Sequence, residues 1–144
     1  MKEFKKAGEP SNCIPDYLIE QCYNALPIWR YKTLEEMKTR LTKQIEEIDR
    51  LEFTAWDNGK VIAMMVIDEL PEETHTGYPM LYTMLSFSTV KGALSEGYKW
   101  LFKTAKSMGY RFVNVTRQIG PMEINNKIRD LDKSVKPLQG GELH

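Results

Sequence analysis

The four residues Asp57-Asn58-Gly59-Lys60 narrow the possible folds more than any other feature of the chain. Asn-Gly tolerates the positive φ angles that a two-residue hairpin turn demands. The turn is flanked by Leu51 to Trp56, which alternates apolar and polar residues, and by Val61 to Ile67, a run of strand formers. With Asp57 opposite Lys60, the expected pairs are Ala55 with Ile62, Phe53 with Met64 and Leu51 with Val66, giving one wholly apolar face. The other face carries Thr54, Trp56, Val61, Ala63 and Met65. Two largely apolar faces place such a hairpin centrally in a sheet that is covered on both sides.

The segments around the hairpin supply the cover. Pro15-Asp16 opens a helix through Leu26, with Leu18, Ile19, Cys22, Ala25 and Leu26 at helical spacing and Pro27 ending it. Thr33-Leu34-Glu35-Glu36 is a capping box that starts a second helix at Leu34, and Leu34, Met37, Leu41, Ile45 and Ile48 form its apolar stripe. Asp68 to Pro79 reads as an acidic loop and Met80 to Ser88 as a third strand. From Leu94, the set Leu94, Tyr98, Leu101, Phe102, Ala105 and Met108 marks a long helix stopped by Gly109. Tyr110 to Thr116 is expected as a fourth strand and Met122 to Leu131 as a short helix behind Pro121. The expected organisation is an arm or short edge strand over 1–14, a single domain over 15–131 and a tail over 132–144. The fold class is α/β (α+β), a central mixed, mainly antiparallel sheet flanked by helices. Met80 to Thr116 forms a parallel crossover if its two strands are neighbours.

Composition closes several routes. At 144 residues there is room for about one core. Twenty Lys plus Arg balance twenty Asp plus Glu, so the net charge gives no support to nucleic-acid binding. Cys13 and Cys22 are too few for a disulfide scaffold and match no zinc spacing, so no metal site is expected and a reducing, cytoplasmic setting is. The longest uncharged apolar stretch, Val61 to Ile67, is far short of a membrane span, and the start Met1-Lys2-Glu3-Phe4-Lys5-Lys6 has no apolar run behind its charges. No zincin, phosphate-loop or nucleophile-elbow motif occurs.

The order of elements from about Pro15 to Leu131 resembles the GNAT, or acyl-CoA N-acyltransferase, fold. The hairpin Phe53 to Met64 and the helix-glycine-strand passage Ala105-Lys106-Ser107-Met108-Gly109-Tyr110-Arg111-Phe112-Val113-Asn114-Val115 carry the resemblance. It implies a pyrophosphate-binding loop of the form Arg or Gln, two residues, Gly, one residue, Gly or Ala at the start of the long helix, where free amides and the helix dipole attract an anion. Ser88 to Gly97 stands at that position. Lys91, Gly92, Ala93 and Leu94 would hold the phosphates, and strand carbonyls of Met84, Leu85 and Ser86 would pair with the pantetheine arm. The motif is not matched, and Glu96 adds a negative charge beside it. The family's tyrosine acid after the fifth strand has no counterpart, since no tyrosine occurs from Arg111 to His144. The family's terminal strand pair is also not evident, so the C-terminal end reads as truncated.

Other candidate groups are few. Glu69, among the loop carboxylates Asp68, Glu72 and Glu73, is a candidate base for an amine, and His75 in the same loop is a second. Asn114, Asn125 and Asn126 are candidates to orient a ligand amide. Cys13 with His75 as base lacks an identifiable third group. Trp100 falls off the apolar stripe among Lys99, Lys103 and Lys106, so Trp100 and Lys103 are candidates for a protein interface or self-association.

Two readings follow. The preferred one is a non-catalytic interaction or structural protein on a degenerate GNAT-like fold, of the type of a small phage virion or assembly component, with no cofactor. Its location would then be the host cytoplasm or the virion. The alternative is an acyl-CoA-dependent N-acetyltransferase with a divergent pyrophosphate loop, using acetyl-CoA.

Overall fold

Asn58 and Gly59 both take positive φ, 49° and 74°, in the turn that joins β2 (Arg50–Asp57) to β3 (Lys60–Leu70). The structure is a computed structural model that describes residues 1–134 and 136–139. Asp57 faces Lys60 and Trp56 faces Val61, after which the register shifts so that Ala55 faces Ala63, Phe53 faces Met65 and Leu51 faces Ile67. This corrects the expected pairs by one residue. Ile62 is the extra residue of a bulge, and a one-residue slip moves every later side chain to the opposite face. Met65 therefore shares a face with Phe53, and Met64 with Thr54.

Among the described residues, six strands lie in chain order in one sheet. β1 (Lys2–Lys5) pairs antiparallel with β2 as the edge strand. β4 (Met80–Ser88) pairs antiparallel with β3, and β5 (Phe112–Gly120) pairs parallel with β4, which makes the crossover. β6 (Glu123–Asp130) is antiparallel to β5. The expected helix over Met122 to Leu131 is thus a strand. Ile124 and Ile128 stand four apart, a spacing that satisfies a strand face as well as a helix stripe, and the free edge of β5 decides between them. Among the described residues no strand follows β6. The residues 135 and 140–144 of the expected tail lie outside the described residues.

Helices cover both faces. α3 (Ser95–Ser107) buries Leu101 and Ala105 against Leu51, Phe53, Met65, Ile67, Leu81, Val113 and Val115. On the opposite face, α1 (Asp16–Ala25) and α2 (Leu34–Glu46) carry Leu18 and Ile45 onto Val61, Met64 and Val66. Thr33 caps α2, its hydroxyl accepting from the Glu36 amide at 3.2 Å. Residues 63 to 67 of β3 are all buried, as a central strand requires. The N-terminal segment is held by Arg50, which pairs with Glu52 at 2.8 Å and donates to the carbonyls of Lys6 and Glu9. Cys13 behind it is fully buried.

Candidate functional site

β4 and β5 are neighbours for only three pairs, Met80 with Phe112 through Tyr82 with Asn114. The reason lies one strand away. Between β3 and β4 the register runs from Ile67 opposite Thr83 to Val66 opposite Leu85, so Met84 is left unpaired as a bulge. A bulge bends its strand and increases the local twist. Beyond Met84, β4 follows β3 while β5 follows β6, and the two parallel strands part. The Thr116 amide bridges the opening, donating to the Thr83 hydroxyl at 2.8 Å.

The parted strands enclose a cleft of about 830 Å³, within the size range of small-molecule sites. One wall is the edge of β4 from Met84 to Ser88, whose polar groups on the β5 side have lost their ladder partners. The loop into α3 closes one end through Lys91, Gly92, Leu94 and Ser95, with Tyr98 behind it. Leu26, Ile28 and Trp29 from the connection after α1, and Arg40 from α2, form the far wall, while Thr116, Arg117, Gln118 and Ile124 come from β5 and β6. The Arg117 guanidinium lies 5.4 Å from the Tyr98 ring centre.

The loop before α3 is built to leave amides free. The bulged Ile62 offers its carbonyl to the Thr89 amide at 2.9 Å, fixing where the loop starts. Gly92 at φ 82° turns the chain, and its carbonyl accepts from the Ser95 amide. Among the described residues, the amides of Lys91, Gly92, Leu94, Glu96 and Gly97 have no hydrogen-bond partner in the protein. Such a set is an anion-binding end.

The sequence candidates divide accordingly. Met84, Leu85, Ser86, Lys91, Gly92 and Leu94 line the cleft; Ala93 does not, and its amide is taken by the Val90 carbonyl at 3.2 Å. Glu96 turns away and pairs with Lys2 at 3.2 Å, so its charge does not line the cleft. Glu69 and His75, the candidate bases, do not line the cleft. Glu69 stands opposite Leu81, five residues along β4 from Ser86, or about 17 Å at roughly 3.3 Å per residue. There it accepts the Tyr110 hydroxyl, and burial together with this carboxylate pushes that phenol up to about 12. His75 sits in the connection from β3 to β4 with its ring exposed, its Nδ1 2.7 Å from Glu73. Glu73 also accepts from the amides of His75 and Thr76, which hold its carboxyl down to about 2.

Trp100 is half-buried with its ring centre 6.4 Å from that of Phe53, so it belongs to the core under α3, with Lys103 exposed beside it. The Cys13 thiol, pushed well up by burial, shares its hydrogen between the Phe53 and Met65 carbonyls at 3.7 Å, and the His75 ring is engaged by Glu73 instead. Asn114 stands in β5 beside Tyr82 with a buried Oδ1 that has no partner among the described residues; Asn126 accepts from Thr116 at 2.7 Å, and Asn125 is exposed. Trp29, Arg40, Tyr98 and Arg117 escaped sequence reasoning as site residues. Only Arg117, a charge continuing the Val113 and Val115 face of β5, left a signal in the strand alternation. Among the described residues no group of three or more His, Cys, Asp or Glu side chains could hold a metal, and no helix is long and apolar enough to cross a membrane.

No protein-family description matches the sequence, and no curated protein does. Solved structures do match. An N-acetyltransferase from Staphylococcus aureus Mu50 superposes with a TM-score of 0.51 at 17% identity, covering 85% of this chain and 76% of that one. A "putative acetyltransferase" from the same strain superposes with a TM-score of 0.51 at 13% identity, covering 92% and 99%. These likenesses lend nothing to a virion or structural role. The chain has the mixed six-stranded α+β fold of the GNAT-type acetyltransferases.

Proposed function

We propose that the chain is an acyl-CoA-dependent N-acyltransferase that works in the cleft between β4 and β5. The observation that carries this reading is the Met84 bulge, which opens one edge of β4 directly beside a loop of unpartnered amides. The residues fit the group. The open edge from Met84 to Ser86 suits an extended amide-bearing arm, the free amides of Lys91, Gly92 and Leu94 suit a pyrophosphate, and the Lys91 ammonium adds charge compensation. Acetyl-CoA, when bound, supplies a thioester whose carbonyl carbon takes the amine lone pair; the C–N bond forms, the C–S bond breaks, and the sulfur leaves with its electron pair and the amine's proton as a thiol.

The chain's part is to orient and to exclude water. Among the described residues lining the cleft there is no carboxylate or imidazole. An acceptor arriving as an ammonium ion therefore loses its extra proton to solvent, and the rate follows the acceptor's own amine pKa. That same observation favours a second reading, a module that binds acyl-CoA without turning it over.

Calorimetric titration with acetyl-CoA and CoA tests both. Micromolar binding is expected in the wild type and at least tenfold weaker binding in Gly92→Asp. A β-carbon at Gly92 meets nothing within 4 Å, so the variant acts through its charge and the positive φ, not through crowding. Equal affinity in the variant, with an unchanged melting temperature, would overturn the assignment of the loop. Binding without transfer to any amine leaves the second reading.

A further inference from the structure

Among the described residues, the charged side chains lining the cleft are Arg40, Lys91 and Arg117, all cations. Two of them have evident settings: Lys91 stands in the loop of free amides, and Arg117 lies over Tyr98. Arg40 stands apart from both. It projects from α2 three residues after Met37 and one before Leu41, both buried, and it shares its wall with Leu26, Ile28 and Trp29. It is half-buried, yet among the described residues it makes no hydrogen bond or ion pair, whereas Lys38 on the same helix reaches Asp16 and Glu20 at 3.6 Å.

A guanidinium partly withdrawn from water, with apolar neighbours and no counter-charge, gains most from an arriving oxyanion, which its planar fork binds through two parallel N–H donors. Resting on the transferase reading, we infer that Arg40 forms an acceptor subsite for the carboxylate of a small amine with an apolar body, such as an apolar α-amino acid. The cation-only lining disfavours polyamines and lysine-like acceptors by like-charge repulsion. Trp29 and Ile28 supply apolar contact for the side chain, and the carboxylate on Arg40 leaves the amine directed to the β4 edge where the thioester would lie.

The test uses transfer from acetyl-CoA to L-phenylalanine, L-phenylalaninamide and spermidine, together with direct binding of N-acetyl-L-phenylalanine to the protein alone. The expected result, with KM expressed as free-amine concentration because the amide's amine is the less basic, is a KM at least tenfold lower for phenylalanine than for its amide. Arg40→Gln should raise KM for phenylalanine at least tenfold, leave the amide unchanged, abolish binding of N-acetylphenylalanine and spare acetyl-CoA binding. Equal use of acid and amide, or binding of N-acetylphenylalanine that survives Arg40→Gln, would overturn the subsite. If acetyl-CoA fails to bind while N-acetylphenylalanine binds in an Arg40-dependent way, the transferase reading falls and the carboxylate subsite stands. If neither binds, both fall.

Discussion

At Gly97 a single missing β-carbon sets how closely α3 can approach the sheet. A β-carbon built there would lie 2.7 Å from the Phe53 ring, and Phe53 is itself 2% exposed and held between Met65 and Trp100. The glycine is helical, so its role is close approach and not backbone freedom. Gly97→Ala brings two effects of opposite sign. Alanine favours a helix by about 1 kcal/mol over glycine. Overpacking a well-filled core costs about 1–3 kcal/mol. The buried ring cannot withdraw, so a net loss of stability is expected, read as a lower urea midpoint with an unchanged slope. A raised midpoint would show that the Phe53 ring yields. In the sequence, Gly97 was legible only as a small residue near a phosphate loop, because the partner that requires its smallness lies on β2, 44 positions away.

The elements were legible where local chemistry and tertiary setting agree. Asn58-Gly59 fixed a hairpin, Thr33 to Glu36 fixed a helix start, and the stripe from Leu94 to Met108 fixed α3 to within a residue of its observed start at Ser95. They were illegible where one pattern serves two structures, as with Ile124 and Ile128 of β6, and where a bulge intervenes, as at Ile62, since this bulge carries no glycine to mark it. The connection between β3 and β4 was read as an acidic surface loop, but one of its carboxylates organises it. Glu73 accepts from two amides and from the His75 ring, and its carboxyl is held from an ordinary 4.5 down to about 2. A carboxyl depressed on folding contributes stability that is fully present above about pH 4.5 and is lost as pH falls toward 2. Glu73→Gln should therefore be less stable than the wild type at pH 7, with the difference in urea midpoint closing by about pH 2. A difference that stays constant over that range would show that the ionised carboxylate does not hold the loop.

Over the whole molecule, the formal charge of zero hides a cleft whose charged lining is all cationic among the described residues, and the position of that cleft follows from one unpaired residue. Sequence reasoning reached the β4 edge and the amide loop through a family resemblance, but not the far wall, because Trp29 and Arg40 meet that edge only through the packing of α1 and α2 on the sheet. The bulge makes the link between fold and site testable. Deleting Met84 removes the residue that has no partner on β3 and leaves Thr83 opposite Ile67 and Leu85 opposite Val66, so the side chains that follow keep their faces. The straightened strand can then continue its parallel ladder with β5 past Tyr82 and Asn114. The expected variant folds, melts cooperatively, protects the amide of Gln118, which faces β4 like that of Thr116, from hydrogen exchange and loses acetyl-CoA binding. If the deletion variant folds yet binds acetyl-CoA as the wild type does, the opening between β4 and β5 is not the thioester site. If it binds weakly while the Gln118 amide exchanges as before, the bulge contributes contacts to the ligand without being what parts the strands.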